Sequence, residues 1–186
     1  MNKVSHDFDR APRDADEFLA TFQDVDGRIE YVDGRVVTMM TNVTLAHYRT
    51  ANRFVRQLAG LEDRGLLVGA ADFGVQIGQD VRYPDVLVFE PADLDDTDRR
   101  TNTPLLIGEI LSEATTHIDF GPKAEQYLSL GSLRHYVILA QDRANAWVWA
   151  RGDGGAFGDP VVLKSQDETI ELSAFDLEIP LSAIYR

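Results

Sequence analysis

Two acidic residues that interrupt short apolar runs constrain this chain more than any other feature. Asp85 lies in YPDVLVF, which starts at residue 83, and Glu109 lies in PLLIGEIL, which starts at residue 104. Short apolar runs bounded by Pro or Gly predict buried strands. A charge buried in a strand is costly unless it is paired or binds a metal ion. Together with Lys123, the two acids therefore indicate a divalent-metal site.

Other interpretations of these three residues stay open from the sequence alone. Asp85 follows Pro84, and Pro-Asp pairs are common in turns. Glu109 could find a protein partner or take up a proton inside its strand. Lys123 could be an ordinary solvated lysine on a helix surface. Only the three-dimensional arrangement distinguishes a site from three separate structural residues.

Length and composition favour one folded domain. The chain has 186 residues, of which 44% are hydrophobic and 26% charged, as in an average globular protein. We predict a flexible tail over residues 1–13 and a single domain over residues 14–186. Cysteine is absent from the sequence, which excludes disulfides and thiolate zinc sites. With no signal-peptide core and no apolar stretch of ~18 residues, we predict a cytoplasmic protein without a membrane partner.

The charge balance limits the classes of nucleic-acid-binding protein that fit. The formal net charge is -13, which opposes a broad attraction to phosphates. It does not exclude a nuclease, because bound cations and a local cluster of arginines can reverse the field near a site. Candidate clusters are Arg49, Arg53 and Arg56, or Arg99 and Arg100.

The order of predicted elements favours a mixed sheet flanked by helices. Asp33-Gly34 between two β-rich segments predicts a type I′ hairpin. Helical spacing and capping signals predict helices over residues 14–22, 45–61 and 122–130. Further strands are predicted at residues 66–68, 73–77, 134–139, 144–150, 161–163 and 169–172. This order fits an α+β fold better than regular βαβ alternation.

Several fragments of the chain resemble the Uma2 family, within the PD-(D/E)xK nuclease superfamily. In chain order they are EYVDGR from residue 30, His47, YPD from residue 83, EILS from residue 109, Asp119, Lys123, Tyr127 and Gly131. The resemblance covers most of the chain and rests on the order and spacing of these fragments. It implies an α/β fold of the α+β type: a restriction-endonuclease-like mixed β-sheet core flanked by helices. An N-terminal β-hairpin and extra C-terminal strands would complete it.

The resemblance also implies a Mg²⁺ site, which Mn²⁺ could occupy as a substitute. Asp85 and Glu109 take the roles of metal ligands, and the backbone carbonyl of Ile110 adds a third oxygen. The superfamily usually has a lysine two residues after the glutamate, where this chain has Leu111. Lys123, arriving from an adjacent helix, is the implied replacement.

Five further residues are candidates for the same site. Glu30 is an accessory catalytic acid in the family pattern, where it would tune the metal. His47, Asp119, Gln126 and Tyr127 are accessory candidates with less direct support. His47 is also interpreted as a helix-entry residue with a structural hydrogen bond, and Asp119 as an ordinary residue at a helix start.

Two hypotheses of different classes follow. The first is a Mg²⁺-dependent endonuclease that hydrolyses phosphodiester bonds in DNA and works as a homodimer. The second is a catalytically weak or inactive nuclease fold that acts as a binding or assembly module, which the Leu111 departure and the acidic balance favour. The sequence leaves cleavage specificity and the choice between DNA and RNA open.

Overall fold

A computed structural model describes residues 11–22, 29–38, 43–70, 72–111 and 120–186. Most of the predicted N-terminal tail and the segment 112–119, which contains Asp119, lie outside the described residues. Nothing in the described part tests the division into a tail and a single domain, so that division stays a prediction.

The chain forms a mixed α+β fold. Its strands are β1 (Ile29–Val32), β2 (Arg35–Thr38), β3 (Leu67–Gly69), β4 (Gly74–Ile77), β5 (Asp80–Arg82), β6 (Val86–Phe89), β7 (Arg100–Thr101), β8 (Pro104–Leu111), β9 (His135–Ala140), β10 (Ala146–Ala150), β11 (Val161–Leu163), β12 (Thr169–Leu172) and β13 (Leu177–Pro180). The α-helices are α1 (Ala15–Thr21), α2 (Leu45–Leu58), α3 (Pro122–Leu128) and α4 (Leu181–Ile184). Two 3₁₀ helices span Ala59–Arg64 and Ser173–Phe175.

These strands form three sheets. The larger mixed sheet has the order β11-β10-β9-β8-β6-β3, and its central pair, β8 and β9, is parallel. The second sheet has the order β2-β1-β5-β4-β7 and contains the N-terminal hairpin. The strands β12 and β13 form a separate antiparallel pair. The predicted mixed sheet with an N-terminal hairpin and late strands is confirmed.

The hairpin is the element whose turn the sequence predicts in most detail. Asp33 and Gly34 have φ angles of 50° and 72°. A type I′ turn requires positive φ at both central positions, and Asn, Asp and Gly tolerate it best. The pairing of Ile29 with Thr38 and Val32 with Arg35 follows from this two-residue turn.

Several predicted boundaries shift in the structure by one to three residues. The strand predicted from residue 83 starts at Val86, because Pro84 has no N–H to offer a ladder. The helix predicted to residue 61 ends at Leu58 and continues as a 3₁₀ turn, and α3 ends at Leu128, two residues early. The strands β5, β7 and β13 and the helix α4 were not predicted.

Two apolar layers cover the larger sheet and fix the position of the site. On one face, Phe54 and Leu58 of α2 pack with Val86, Leu106 and Ile110. On the other face, Ala124 and Tyr127 of α3 pack with the odd-numbered residues of the same strands, namely Leu87, Ile107 and Leu111. Because side chains alternate along a strand, Glu109 shares the α3 face with Ile107 and Leu111.

Gly108 permits the close packing of α2 on the sheet. A Cβ atom at this position would lie 3.0 Å from Cε1 of Phe54 and 3.1 Å from Cβ of Val86. A larger residue would push α2 away from β8, and with it His47, seven residues before Phe54 on the same helix face. None of the described helices is long and apolar enough to cross a bilayer.

Candidate active site

Asp85 occupies the end of the β6 ladder, where its carboxylate replaces a backbone acceptor. Its Oδ2 atom accepts a hydrogen bond from the Ile110 N–H at 2.9 Å and lies 3.1 Å from Nε2 of His47. The β6–β8 register places Val86 opposite Gly108, so one further step brings Asp85 beside Glu109. Asp85 and Glu109 therefore lie at the same end of the paired strands β6 and β8.

The backbone of Ile110 is directed towards Asp85. The N–H and C=O of one strand residue face the same neighbouring strand. Because the Ile110 N–H binds Asp85, its carbonyl also faces the Asp85 side of β8. This is the direction that a third oxygen ligand beside Asp85 requires.

Glu109 is buried against a lysine and a tyrosine from α3. Glu109 is 3% exposed, and Lys123 is 2% exposed. Nζ of Lys123 lies 2.8 Å from Oε1 of Glu109, and the Tyr127 hydroxyl donates to the same oxygen at 3.2 Å. The interpretation of Lys123 as a solvated surface lysine is wrong.

The helix α3 explains how this lysine reaches the strand. Pro122 at the start of α3 has the fixed φ angle that suits a first helical turn. Ala124 and Tyr127 pack in the same apolar cluster as Leu111, the residue two positions after Glu109. Leu111 thus helps to anchor the helix that brings Lys123 to Glu109.

Glu30 pairs with Arg82, a residue that was not among the predicted site residues. Oε2 of Glu30 accepts from NH1 of Arg82 at 2.8 Å, and Oε1 accepts from the Tyr83 N–H at 3.1 Å. Nζ of Lys123 is 3.8 Å from Oε1. Glu30 is therefore held by Arg82 on β5 and reaches the site through Lys123.

Gln126 joins this ion pair to the hairpin. Its Oε1 accepts from Nε of Arg82 at 2.7 Å, while its Nε2 donates to Oδ2 of Asp80 at 2.6 Å. Asp80 in turn accepts from the N–H of Asp33 in the hairpin turn at 2.9 Å. A continuous polar network thus links the hairpin, β5, α3 and β8.

Asp80 and Arg82 are the site residues that sequence reasoning missed. The available signal was a second hairpin, because Gly78 separates two alternating segments and has a φ of 61°. The β4–β5 pairing around this turn is antiparallel and places Arg82 opposite Val75. Pairing of β1 with β5 then brings Glu30 within reach of Arg82, which no local pattern predicts.

The charges of the described site leave a negative excess. Four acidic side chains, one arginine, one lysine and one histidine gather here, namely Glu30, Asp80, Asp85, Glu109, Arg82, Lys123 and His47, all buried. Burial and the neighbouring carboxylates of Glu109 and Glu30 raise the pKa of Tyr127 well above its usual value, so this phenol stays protonated and donates. The surplus charge favours a bound cation over an anion.

The comparison with protein families decides which family this is. A family model described as "Uma2: Putative restriction endonuclease" matches residues 15–182, which is most of the chain. The chain belongs to the Uma2 family. The resemblance drawn from the sequence is therefore confirmed, and this Uma2 chain has a nuclease-family fold.

Solved structures agree on the fold of this Uma2 chain. It is similar to the crystal structure of a putative nuclease belonging to DUF820 from Anabaena variabilis, with a TM-score of 0.73 and 16% identity. The match covers 94% of this chain and 98% of that one. No curated protein matches the sequence. At this identity the similarity shows the fold alone.

The donor set of this Uma2 site fits a hard divalent cation. Carboxylate and carbonyl oxygens are the ligands that Mg²⁺ prefers. Within the described ranges, no group of three or more His, Cys, Asp or Glu side chains is arranged to hold a metal ion. The hypothesised ligand set contains only two such side chains, Asp85 and Glu109, and its third ligand is the backbone carbonyl oxygen of Ile110. That these residues bind metal stays a prediction.

Proposed function

We propose that this Uma2 chain is a Mg²⁺-dependent endonuclease that hydrolyses phosphodiester bonds in DNA. One observation carries the proposal: Nζ of the buried Lys123 lies 2.8 Å from Oε1 of Glu109, at the end of the β6–β8 pair that Asp85 precedes. A buried ion pair is weak evidence for stability, because desolvation offsets most of the attraction. A nuclease would bury a lysine beside Glu109 and Glu30 for another reason, because the lysine can contact the attacking water or the phosphate.

Each residue has a role that its contacts support. Asp85, Glu109 and the Ile110 carbonyl would hold the cation, which when bound orients water and offsets the growing negative charge on the phosphate. Lys123 would donate a hydrogen bond to the attacking water or to a phosphate oxygen. The Tyr127 hydroxyl and the His47 ring orient the two carboxylates. The water oxygen bonds to phosphorus as the phosphorus–oxygen ester bond breaks, and the leaving oxygen takes a proton.

Glu30 is a positioning residue in this proposal. Its carboxylate is occupied by Arg82 and by the Tyr83 N–H. Through its 3.8 Å contact with Nζ it also limits where Lys123 can move. This role differs from direct metal tuning, which the family pattern implied.

A plasmid-cleavage assay with Mg²⁺ or Mn²⁺ tests the proposal. We expect Glu109→Gln to lower the cleavage rate by at least ~100-fold, because the charged ligand and the partner of Lys123 are both lost. Glu125→Gln is the matched control, since Glu125 is exposed on α3 and should leave the rate unchanged. Cleavage that survives Glu109→Gln would contradict the site.

A catalytically inactive binding or assembly module is the second candidate, and Leu111 favours it. This residue stands where the superfamily has its lysine and is buried in the apolar core beside Tyr127. The two candidates differ in metal binding, which calorimetry with Mn²⁺ measures directly. Heat of binding that disappears in Asp85→Asn supports the nuclease, and no heat with the unmodified chain supports the module. Light scattering of the same samples tests the proposed homodimer.

A further inference from the structure

We infer that DNA docks along one exposed face of α2, which leads away from the candidate active site. This inference rests on the proposed function and names the surface that would bind the substrate backbone. The α2 outer face consists of Tyr48, Arg49, Asn52 and Arg56, together with Leu45. At 3.6 residues per turn, these five positions lie within an arc of about 100°.

The composition of α2 is unusual for this chain. Residues 45–58 contain three arginines and neither Asp nor Glu, in a protein with a net charge of -13. The first turn likewise has no acidic residue, so the partial positive charge of the helix start is not neutralised locally. The helix is therefore a local region of positive potential on an acidic protein, and a polyanion is the complementary partner.

The structure separates the three arginines by role. Arg53 is partly buried, and its NH1 atom donates to the carbonyl of Ile184 at 2.9 Å, which ties α2 to the end of α4. Arg49 and Arg56 are exposed. Seven residues of helix separate them by about 10 Å, roughly the rise of three base pairs of duplex DNA. Two phosphate contacts along one backbone fit this spacing.

An aromatic and an aliphatic side chain lie beside these arginines. Tyr48 is 59% exposed and Leu45 is 61% exposed. The side chain of Asn52 donates to the Tyr48 carbonyl at 2.8 Å, which places its amide next to the tyrosine on this face. An exposed tyrosine beside cationic groups is suited to contact a sugar or a base while the arginines bind phosphates.

The face starts at the candidate active site. His47, the residue before Tyr48, points inward and contacts Asp85. Tyr48 and Arg49 therefore lie in the turn of α2 nearest the proposed cation, and Arg56 lies about two turns further away. A backbone bound along this line would approach the end of α2 that lies nearest the site.

The other arginine cluster of the sequence fits DNA less well. NH2 of Arg100 is bound by Oδ1 of Asp16 at 2.6 Å. Arg99 follows a loop with four aspartates, namely Asp93, Asp95, Asp96 and Asp98. Repulsion between these acids and phosphates opposes docking there.

The salt dependence of DNA binding tests the inference. The probe is a fluorescently labelled DNA duplex, with Ca²⁺ replacing Mg²⁺ to prevent turnover, and anisotropy is measured as the NaCl concentration rises. The double variant Arg49→Gln/Arg56→Gln should lower the slope of log K against log salt by about 2, because each phosphate contact contributes ~0.9. Tyr48→Ala should weaken binding ~10-fold without changing the slope.

Arg134→Gln is the matched control, because Arg134 is exposed and precedes β9 at the end of the sheet opposite Glu109. Its slope should equal that of the unmodified chain. The inference is overturned if the double variant keeps the full slope, if Arg134→Gln lowers it equally, or if the unmodified chain binds no DNA. It is also overturned if Tyr48→Ala changes the mass in light scattering but not DNA binding, since the face would then join two copies. Altered slopes without any cleavage would instead retain the docking face and contradict the proposed function.

Discussion

The two ends of the parallel strands β8 and β9 bury ionisable side chains in opposite ways. At one end, Glu109 is buried with Lys123 at 2.8 Å and shares the site with further charged groups. At the other, His135 is 1% exposed and lies opposite Leu106. Its Nε2 atom accepts from the Ala174 N–H at 3.2 Å. Burial lowers the pKa of His135 to about 4, against a smaller opposing effect of a backbone hydrogen bond with Trp149.

The difference separates a structural residue from a candidate functional one. A neutral histidine needs no counter-charge, and one ring nitrogen of His135 accepts a backbone hydrogen bond. Glu109 and Lys123 stay buried only because four elements supply partners, and such a network is costly to desolvate. Apolar residues of the same volume would stabilise the fold at least as well. Stability alone therefore does not account for the residues at the charged end, whereas the proposed function would.

The largest expected effect comes from removing the cation at the charged end. Lys123→Met keeps the length of the side chain and leaves Glu109 and Glu30 without their shared cation. Removing one partner of a buried ion pair costs roughly 3 to 5 kcal/mol. The free energy of unfolding measured in urea should therefore fall by that amount, and the midpoint should move to a lower urea concentration. Cleavage should fall with it.

Lys164→Met provides the control for Lys123→Met, because Lys164 is an exposed lysine in the C-terminal part of the chain. Its free energy of unfolding should stay within ~0.5 kcal/mol of the original value. Equal unfolding midpoints for both variants would mean that the Lys123 pair contributes nothing to the folded state.

At the charged end, the sequence predicts the strands and the helix better than it predicts the contacts between their side chains. Apolar runs place Glu109 on a strand, Pro122 starts the helix that carries Lys123, and Asp33-Gly34 specifies the hairpin turn. These are local signals, since each depends on a few consecutive residues. The resemblance to the family then selected Lys123 over Leu111, which periodicity alone could not do.

The contacts that sequence reasoning missed are between residues far apart in the chain. Glu30 and Arg82 are 52 positions apart, and His47 and Asp85 are 38 apart. Which strand pairs with β1, and how closely α2 packs at Gly108, depend on the whole fold and leave no local pattern. The local sequence around Arg82 therefore indicates only a polar residue before Tyr83-Pro84, although Arg82 is buried in the ion-pair network.

Acid should destabilise the neutral end through His135. The folded-state pKa is about 4, whereas an unfolded histidine has a pKa of ~6.5, so the unfolded chain takes up the proton first. The stabilising contribution of His135 is complete above pH ~6.5 and is lost as the pH falls towards about 4. The loss amounts to about 2 to 3 kcal/mol in urea unfolding across this window.

His135→Gln isolates this contribution, because the amide oxygen can still accept from the Ala174 N–H but does not titrate. The difference in unfolding free energy between the original chain and this variant should therefore change with pH only between the two pKa values. A difference that stays constant from pH 7 to about 4 would show that His135 does not titrate with folding.

An intermediate effect should follow from cutting the link between the hairpin and α3. Gln126→Leu removes the hydrogen bonds to Arg82 and Asp80 and leaves both charges with one partner fewer. We expect a loss of about 2 kcal/mol in urea unfolding. Gln166→Leu, at an exposed position, should change stability by less than ~0.5 kcal/mol. If both variants unfold alike, the network does not brace α3.

The smallest change in stability should come from Asp85, although it lies in the same site. Its contacts include a backbone N–H and a histidine ring, and Asp85→Asn keeps an oxygen that accepts from the Ile110 N–H. Loss of the charge should therefore cost no more than about 1 kcal/mol in thermal unfolding. Mn²⁺ binding by calorimetry should nevertheless disappear, since a carboxylate ligand is gone. Asp96→Asn, in an exposed loop, should bind Mn²⁺ as the original chain does. Undiminished Mn²⁺ binding by Asp85→Asn would mean that Asp85 is not a ligand of the cation. The carboxylates of Glu30 and Glu109 would then be explained as ion-pair partners of Arg82 and Lys123.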